Sequence, residues 1–124
     1  MKKLKLEKLT VLALVLLAVL ACSNFVQNGY RTLVVSQQSY DVTLSAMGDL
    51  YREGRITEAQ KDEAIKIGRG YKLAHNGAVA SLAKYEETKQ EADKNAYAQA
   101  ASTASAALAK LIAYCRPFIE KGVK

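Results

Sequence analysis

Apolar side chains recur in steps of three and four residues along three consecutive stretches of this chain. Such spacing places the side chains of each stretch on one face of an α-helix. The first stripe consists of Tyr30, Leu33, Tyr40, Leu44, Met47 and Tyr51, with the polar Gln37 filling the position between Leu33 and Tyr40. The second consists of Ala64, Ile67, Tyr71, Ala74, Ala78, Leu82 and Tyr85, and the third of Tyr97, Ala101, Ala104, Leu108, Leu111, Cys115 and Phe118. With one proline and no tryptophan, the composition agrees with an all-α fold.

Turn signals separate the three stripes. Gly54 ends the first helix, and Thr57 with Gln60 forms a capping box that opens the second. Thr88 with Glu91 repeats the capping pattern before the third helix. Helices are therefore predicted at about residues 30–52, 58–87 and 90–116. Because the connections are short, consecutive helices are antiparallel, and we predict an up-down-up three-helix bundle.

Two features complicate this prediction. Gly68, Gly70 and Gly77 lie inside the second helix, where glycine is unfavourable, so a break into two shorter helices is the alternative. We favour a continuous helix, because a stripe of small residues would let two helix backbones approach closely. That stripe consists of Gly70, Ala74, Gly77 and Ser81. In the third helix, Pro117 removes a backbone donor and is expected to kink or stop the helix.

The N-terminal segment has the organisation of a secretory signal. Four lysines within the first eight residues precede an apolar run from Val11 to Ala21. This run is shorter than the about 20 residues needed to span a hydrocarbon core of about 30 Å. The segment Val19-Leu20-Ala21-Cys22 resembles the lipobox of bacterial prolipoproteins. That resemblance implies cleavage between Ala21 and Cys22 and lipid on the Cys22 thiol; the alternative is an ordinary signal peptide that a cysteine happens to follow.

A domain plan follows from this signal. We expect a cleaved signal at 1–21, a lipidated tether at 22–28, a bundle at 29–119 and a frayed tail at 120–124, with Asn28-Gly29 as the break before the first helix. The expected location is the cell envelope, with the membrane contacted through lipid on Cys22. In a host with two membranes, the resemblance of the Cys22-Ser23 pair to the enterobacterial sorting pattern implies the outer membrane, facing the periplasm.

The charge outside the signal is only mildly positive. Residues 22–124 carry 14 Lys and Arg and 11 Asp and Glu, because four lysines and one glutamate lie in the signal. The resulting net charge of +3 argues against nucleic acid as a partner and is compatible with anionic headgroups or cell-wall polymers. The chain has two cysteines, so a lipidated Cys22 leaves Cys115 without an internal disulfide partner.

Few residues suggest chemistry. His75 is the single histidine and has no neighbours at metal-ligand spacing, so we expect a partly exposed structural side chain. Cys115 occupies an apolar stripe and is expected to be a buried small side chain; an exposed thiol that links two copies is the alternative. Phosphate-binding loops, nucleophile elbows and paired acids are not found in the sequence. We therefore expect no enzyme activity, no cofactor and no metal site.

Two sets of residues are candidates for interaction. The chain has seven tyrosines against two phenylalanines, which either pack in the core with their hydroxyls at its rim or form a surface for a partner protein. Tyr71, His75 and Tyr97 mark the place where a pocket between helices would lie. Lys66 and Arg69 belong to a basic segment of the second helix, which either faces solvent or contacts anionic groups.

Two stretches, Leu50 to Gln60 and Tyr71 to Val79, resemble small helical proteins of bacterial and prophage genomes. The chain is also similar to the murein lipoprotein in its Cys22-Ser23-Asn24 start and its terminal Lys124, which would imply attachment to peptidoglycan, but it departs from that family in length and in its turns. It differs from the outer-membrane spanin subunits of phage lysis, because those proteins are often proline-rich and this chain has one proline.

Three functional hypotheses follow. The first is a lipid-anchored structural or interaction protein of the envelope, with an envelope protein or a second copy of the chain as its partner. The second is a phage or prophage factor for lysis or for exclusion of superinfecting phage. The third is a module that binds a small ligand between its helices.

Overall fold

The computed structural model describes the backbone of residues 2–122 and the side chains of residues 24–122. Its helices are α1 (Lys2–Arg52), α2 (Glu58–Thr88) and α3 (Glu91–Gly122). Helices α2 and α3 form the most closely packed pair, and α1 packs against both. The prediction of an all-α, up-down-up three-helix bundle is confirmed.

The turn between α1 and α2 forms as its sequence predicts. Gly54 has a φ of 72°, a left-handed conformation that glycine adopts without the clash of a Cβ atom. The Arg55 N–H then donates to the Leu50 carbonyl at 2.9 Å, which closes the end of α1. The capping box is complete: the Gln60 N–H donates to the Thr57 hydroxyl at 3.1 Å. The Thr57 N–H in turn donates to the Gln60 side-chain oxygen at 2.9 Å.

The turn between α2 and α3 uses different chemistry from that predicted. Thr88 is the last residue of α2 rather than the cap of α3, so the predicted capping box with Glu91 is wrong. Lys89 adopts the left-handed conformation that ends α2, and its N–H donates to the Tyr85 carbonyl at 2.8 Å. The Thr88 hydroxyl stabilises this turn in another way, because it accepts a hydrogen bond from the Gln90 N–H and donates one to the Asp93 carboxylate.

Helix α2 is continuous through its glycines, as predicted, but the reason differs. A Cβ atom at Gly70 or Gly77 would meet nothing within 4 Å, so these residues do not mediate close helix packing. Gly68 is the closely packed glycine of α2, since a Cβ atom there would lie 3.1 Å from the Tyr40 ring. The predicted stripe of small residues is therefore turned away from the α1 contact.

Helix α1 extends across the predicted tether. Residues 24–28 are helical, and Val26 is buried against Tyr85 and Tyr97. Gly29 is not a helix break, because a Cβ atom there would lie 2.8 Å from Leu82 Cδ2, so it permits close approach of α1. Packing of the apolar side chains overrides the local break signal. The side chains of Ala21, Cys22 and Ser23 lie outside those the structure describes.

Helix α3 continues through Pro117 to Gly122, so a stop at Pro117 is wrong, and residues 120–122 of the predicted frayed tail are helical. The alternative of a kink at Pro117 stays a prediction. Phe118 and Ile119 pack against buried residues at this end of the bundle. The Gly122 carbonyl accepts from Arg55 Nη1 at 2.5 Å. These contacts offset the backbone hydrogen bond that proline cannot make. Val123 and Lys124 lie outside the described residues.

The core has two clusters. The upper cluster lies next to the α2–α3 turn, and the lower cluster lies next to the α1–α2 turn. The upper cluster consists of Val26, Leu33, Ala78, Leu82, Tyr85 and Tyr97. The lower cluster consists of Met47, Leu50, Ile56, Ala64, Leu111 and Cys115. Each large apolar side chain buried in this way contributes about 1.5–3 kcal/mol to folding.

Candidate interaction surface

Tyr71 and His75 form a polar pair one helical turn apart on the buried side of α2. The Tyr71 hydroxyl and His75 Nδ1 lie 3.1 Å apart and share a hydrogen bond. His75 is only 8% exposed, so the prediction of a partly exposed side chain is wrong. Burial, reinforced by the nearby Lys72 ammonium, lowers the pKa of His75, and Asp41 opposes this shift. The imidazole is therefore held neutral near pH 7.

His75 also borders a shallow groove between α1 and α2. The groove has a volume of about 240 Å³. Its lining consists of Tyr30, Leu33, Val34, Gln37, Gln38, His75 and Val79. Tyr71 is wholly buried, and Tyr97 lies in the upper cluster with its ring edge-on to Phe25 at 5.6 Å. The three predicted pocket residues thus do not line one cavity, and the groove is smaller than the about 300–1,000 Å³ usual for ligand sites.

The Cys115 thiol is inaccessible. Cys115 is fully buried in the lower cluster, as predicted, which excludes its use as an exposed link between copies. Burial raises the pKa of its thiol to about 11. Such a thiol carries little thiolate at neutral pH and is a poor nucleophile. Among the described residues, no group of three or more His, Cys, Asp or Glu side chains is placed to hold a metal ion.

The most distinctive surface is the α2 outer face, which we define as Ile65, Lys66, Arg69, Lys72 and Leu73. It lies within a run from Ala64 to Tyr85 that contains no Asp or Glu. Leu73 is 78% exposed between cationic neighbours. Lys72 donates to the Gln37 side-chain oxygen at 3.1 Å, which ties this face to α1. The described ion pairs do not include Lys66, Arg69 or Lys72.

A second groove extends the cationic surface towards α3. It has a volume of about 290 Å³ and lies between α2 and α3. Lys66 stands on its α2 side and Lys110 on its α3 side, with Gly70 and Ala107 among the lining residues. Glu63 is the acidic residue of the lining. Because Gly70 has no side chain, this groove leaves both ammonium groups accessible to a partner.

The structure therefore separates the predicted interaction residues. Lys66 and Arg69 are exposed on the α2 outer face, whereas Tyr71 and His75 lie on the buried side of the same helix and Tyr97 lies in the upper cluster. Leu73 and Lys110 were missed by sequence reasoning. The signal for the α2 outer face was the acid-free run itself, but Lys110 joins it only through the packing of α3.

In the part of the chain with described side chains, no helix combines the length and apolar character needed to cross a membrane. Comparisons of this chain with protein-family models, with curated proteins and with solved structures found no match.

Proposed function

We propose that this protein is a lipid-anchored interaction protein of the cell envelope, without catalytic activity. Lipid on Cys22 holds the bundle at the membrane after cleavage of residues 1–21. The α2 outer face then binds a partner protein with an acidic surface. In a host with two membranes, the anchor lies in the outer membrane and the bundle faces the periplasm. The lipobox-like segment Val19-Leu20-Ala21-Cys22 supports the anchor.

The observation that carries the binding role is the exposure of Leu73 among cations. Burying this side chain against a partner would contribute about 1.5–3 kcal/mol. Arg69 and Lys72 have no acidic residue within one helical turn along α2, whereas Lys66 has Asp62 and Glu63 on the preceding turn. Cations of this kind accelerate the encounter with an acidic partner and reject a basic one.

The same charges argue against a second copy of the chain as the partner on this face. A two-fold symmetric dimer brings the same patch of both copies together. Here that would place the cations Lys66, Arg69 and Lys72 against their own equivalents, and like charges facing each other oppose association. A different protein with carboxylates around an apolar side chain fits this surface better.

The proposal is tested in cells of the native host. Metabolic palmitate labelling is expected for the unaltered chain and is expected to be lost in Cys22→Ala. In the anchored protein, a photo-crosslinking side chain in place of Leu73 is expected to give a discrete adduct. The same side chain in place of Ala106, exposed on α3, serves as the matched control and is expected to give none.

Two results would contradict the proposal. Palmitate that remains on the Cys22→Ala variant would refute the anchor. Equal adducts from positions 73 and 106, or an adduct from position 73 that survives Arg69→Glu unchanged, would refute binding through the α2 outer face.

A further inference from the structure

We infer that the bundle stands upright on the membrane, with its α2–α3 turn against the lipid headgroups and its α1–α2 turn facing away. This inference rests on the proposed anchor at Cys22. It adds a second interaction surface, the turn end of the bundle, whose partner is the surface of the lipid bilayer.

The anchor at Cys22 lies only a few residues from the core in sequence. Phe25 follows Cys22 by three residues, less than one helical turn. The Phe25 ring lies edge-on to Tyr85 at 5.5 Å and to Tyr97 at 5.6 Å. Val26 is buried beside them. A lipid on Cys22 would therefore pull on a helix that is already packed into the bundle, with no seven-residue tether between them.

The topology of the bundle decides which end meets the membrane. Phe25 packs against the last turns of α2 and the first turns of α3, so the α2–α3 turn lies at the anchored end. The Tyr30 hydroxyl donates to the Glu86 carboxylate at 3.3 Å, which places the end of α2 beside the start of the packed part of α1. The contact between Arg55 and the Gly122 carbonyl marks the opposite end.

The anchored end combines lysines with aromatic rings. Lys94 Nζ lies 4.8 Å from the centre of the Phe25 ring, and Lys89 Nζ lies 5.6 Å from that of Tyr85. Lysine side chains with apolar stems suit the boundary between water and lipid, and here those stems cover rings that are packed into the bundle. Asp93 is already engaged, since its carboxylate accepts from Thr88 and pairs with a lysine within the bundle. Residues 84–94 also include Glu86, Glu87 and Glu91, so this end combines three lysines with four acidic residues, and its contact with the bilayer follows from the anchor and the topology rather than from net charge.

The α2 outer face stands well above the lipid. At about 1.5 Å per residue along α2, Lys72 stands about 20 Å and Lys66 about 28 Å from the level of Tyr85. Electrostatic interactions are screened over about 8 Å at physiological ionic strength. An upright bundle therefore keeps these cations out of reach of the headgroups and free for another partner. The distal turn, at Arg52, lies about 40 Å from the level of Phe25.

The competing arrangement is a bundle that lies on its α2 outer face, with Leu73 inserted among the headgroups. It would require a sharp bend between Cys22 and Phe25, where only two residues intervene. It would also move Lys89 and Lys94 away from the bilayer surface.

The experiment uses lipidated protein purified from membranes and placed in vesicles of phosphatidylethanolamine with a minority of phosphatidylglycerol. Single variants Lys89→Cys, Arg69→Cys and Glu53→Cys carry a fluorophore, and a fraction of the lipid carries a nitroxide on its headgroup. Cys115 is fully buried, so the chain without an added cysteine is the control for stray labelling. We expect strong quenching at position 89 and no quenching above that in nitroxide-free vesicles at positions 69 and 53.

The outcomes separate the two proposals. The mass of the N-terminal peptide is measured on each sample. A sample without lipid on Cys22 refutes the anchor and, with it, the upright orientation of the bundle. In lipidated samples, quenching at position 69 that equals the quenching at position 89 refutes the upright orientation and supports a bundle that lies on α2. Quenching that is strongest at position 53 refutes it in favour of an inverted bundle. In both of these cases the anchor itself stands.

Discussion

At the scale of single residues, the buried pair of Tyr71 and His75 shows how a polar group is accommodated in an apolar bundle. The Tyr71 ring packs against the Tyr40 ring at 4.9 Å between centroids, while its hydroxyl shares a hydrogen bond with the imidazole. Among the described residues, no buried side-chain nitrogen or oxygen lacks a partner. A buried polar group without a partner would cost about 1–3 kcal/mol. The pair is thus compatible with a stable core, provided His75 stays neutral.

This requirement predicts a dependence of stability on pH. Because the folded state lowers the pKa of His75, the unfolded chain binds a proton more readily as the pH falls below about 6.5. The free energy of unfolding should therefore fall with decreasing pH, by at most about 1.4 kcal/mol per pH unit, until the pH drops below the folded pKa. Lys72 on α2 strengthens this effect and Asp41 on α1 weakens it. Urea unfolding between pH 7.5 and about 5 measures it, a range that stays above the ordinary pKa of carboxyl groups.

The variant His75→Gln should remove most of that slope, and Asn76→Gln, an exposed neighbour, should leave it unchanged. A slope of equal size in His75→Gln would show that other groups are responsible.

At the scale of helices, glycine has opposite roles in α1 and α2. Gly29 is buried where α1 approaches Leu82 and the Tyr97 hydroxyl. Gly77 lies on an open side of α2, where a side chain would meet nothing within 4 Å. Both glycines are helical with ordinary backbone conformation, so only their surroundings distinguish them. A sequence pattern that marks both as helix breakers therefore misses the difference.

The two glycines should respond oppositely to alanine. Gly77→Ala should raise the free energy of unfolding by about 0.8–1 kcal/mol, because alanine is the better helix former. Gly29→Ala gains the same preference but places Cβ 2.8 Å from Leu82 Cδ2 in a buried site. Overpacking of this kind costs about 1–3 kcal/mol, so we expect a net loss of stability. Urea unfolding of both variants checks the signs; a stabilised Gly29→Ala protein would mean that α1 does not approach α2 as closely as described.

At the scale of the whole molecule, the bundle is closed at each end by a contact distant in sequence. Phe25 reaches Tyr85 and Tyr97 at the upper end. Arg55 reaches the Gly122 carbonyl at the lower end. Both contacts involve residues that the sequence places in a tether or in a frayed tail. The folded unit is therefore longer at both ends than the predicted range 29–119.

This boundary is testable with shortened chains. A chain that begins at Gly29 loses Phe25 and Val26, and each large apolar side chain buried on folding contributes about 1.5–3 kcal/mol. We expect the chain beginning at residue 22, with Cys22→Ser to keep it free of lipid, to be more stable by about 3 kcal/mol. Urea unfolding compares the two chains.

A double variant, Asn24→Ala with Gln27→Ala, is the matched control because both side chains are exposed. It should unfold like the longer chain. Equal stability of the chains beginning at 22 and 29 would mean that residues 22–28 form a tether. It would also remove the basis for an upright orientation of the bundle.

The sequence alone determined the class of fold and the first turn, because helical periodicity and capping depend on residues a few positions apart. Gly54, Thr57 and Gln60 act in the structure as predicted. It also indicated the cationic character of α2 through Lys66 and Arg69. The burial of His75 was not predictable, because it depends on how α1 is placed against α2.

Only the tertiary structure decided where the bundle begins and ends and which residues share a surface. Gly29 and Pro117 carry local signals for ending a helix, yet both lie within helices because the side chains around them are packed. Likewise, Lys110 becomes a neighbour of the α2 outer face only through the packing of α3 against α2. Local preferences amount to about 1 kcal/mol for glycine and about 3 for proline, whereas several buried apolar side chains together contribute more. Packing between distant segments therefore prevails wherever the two conflict.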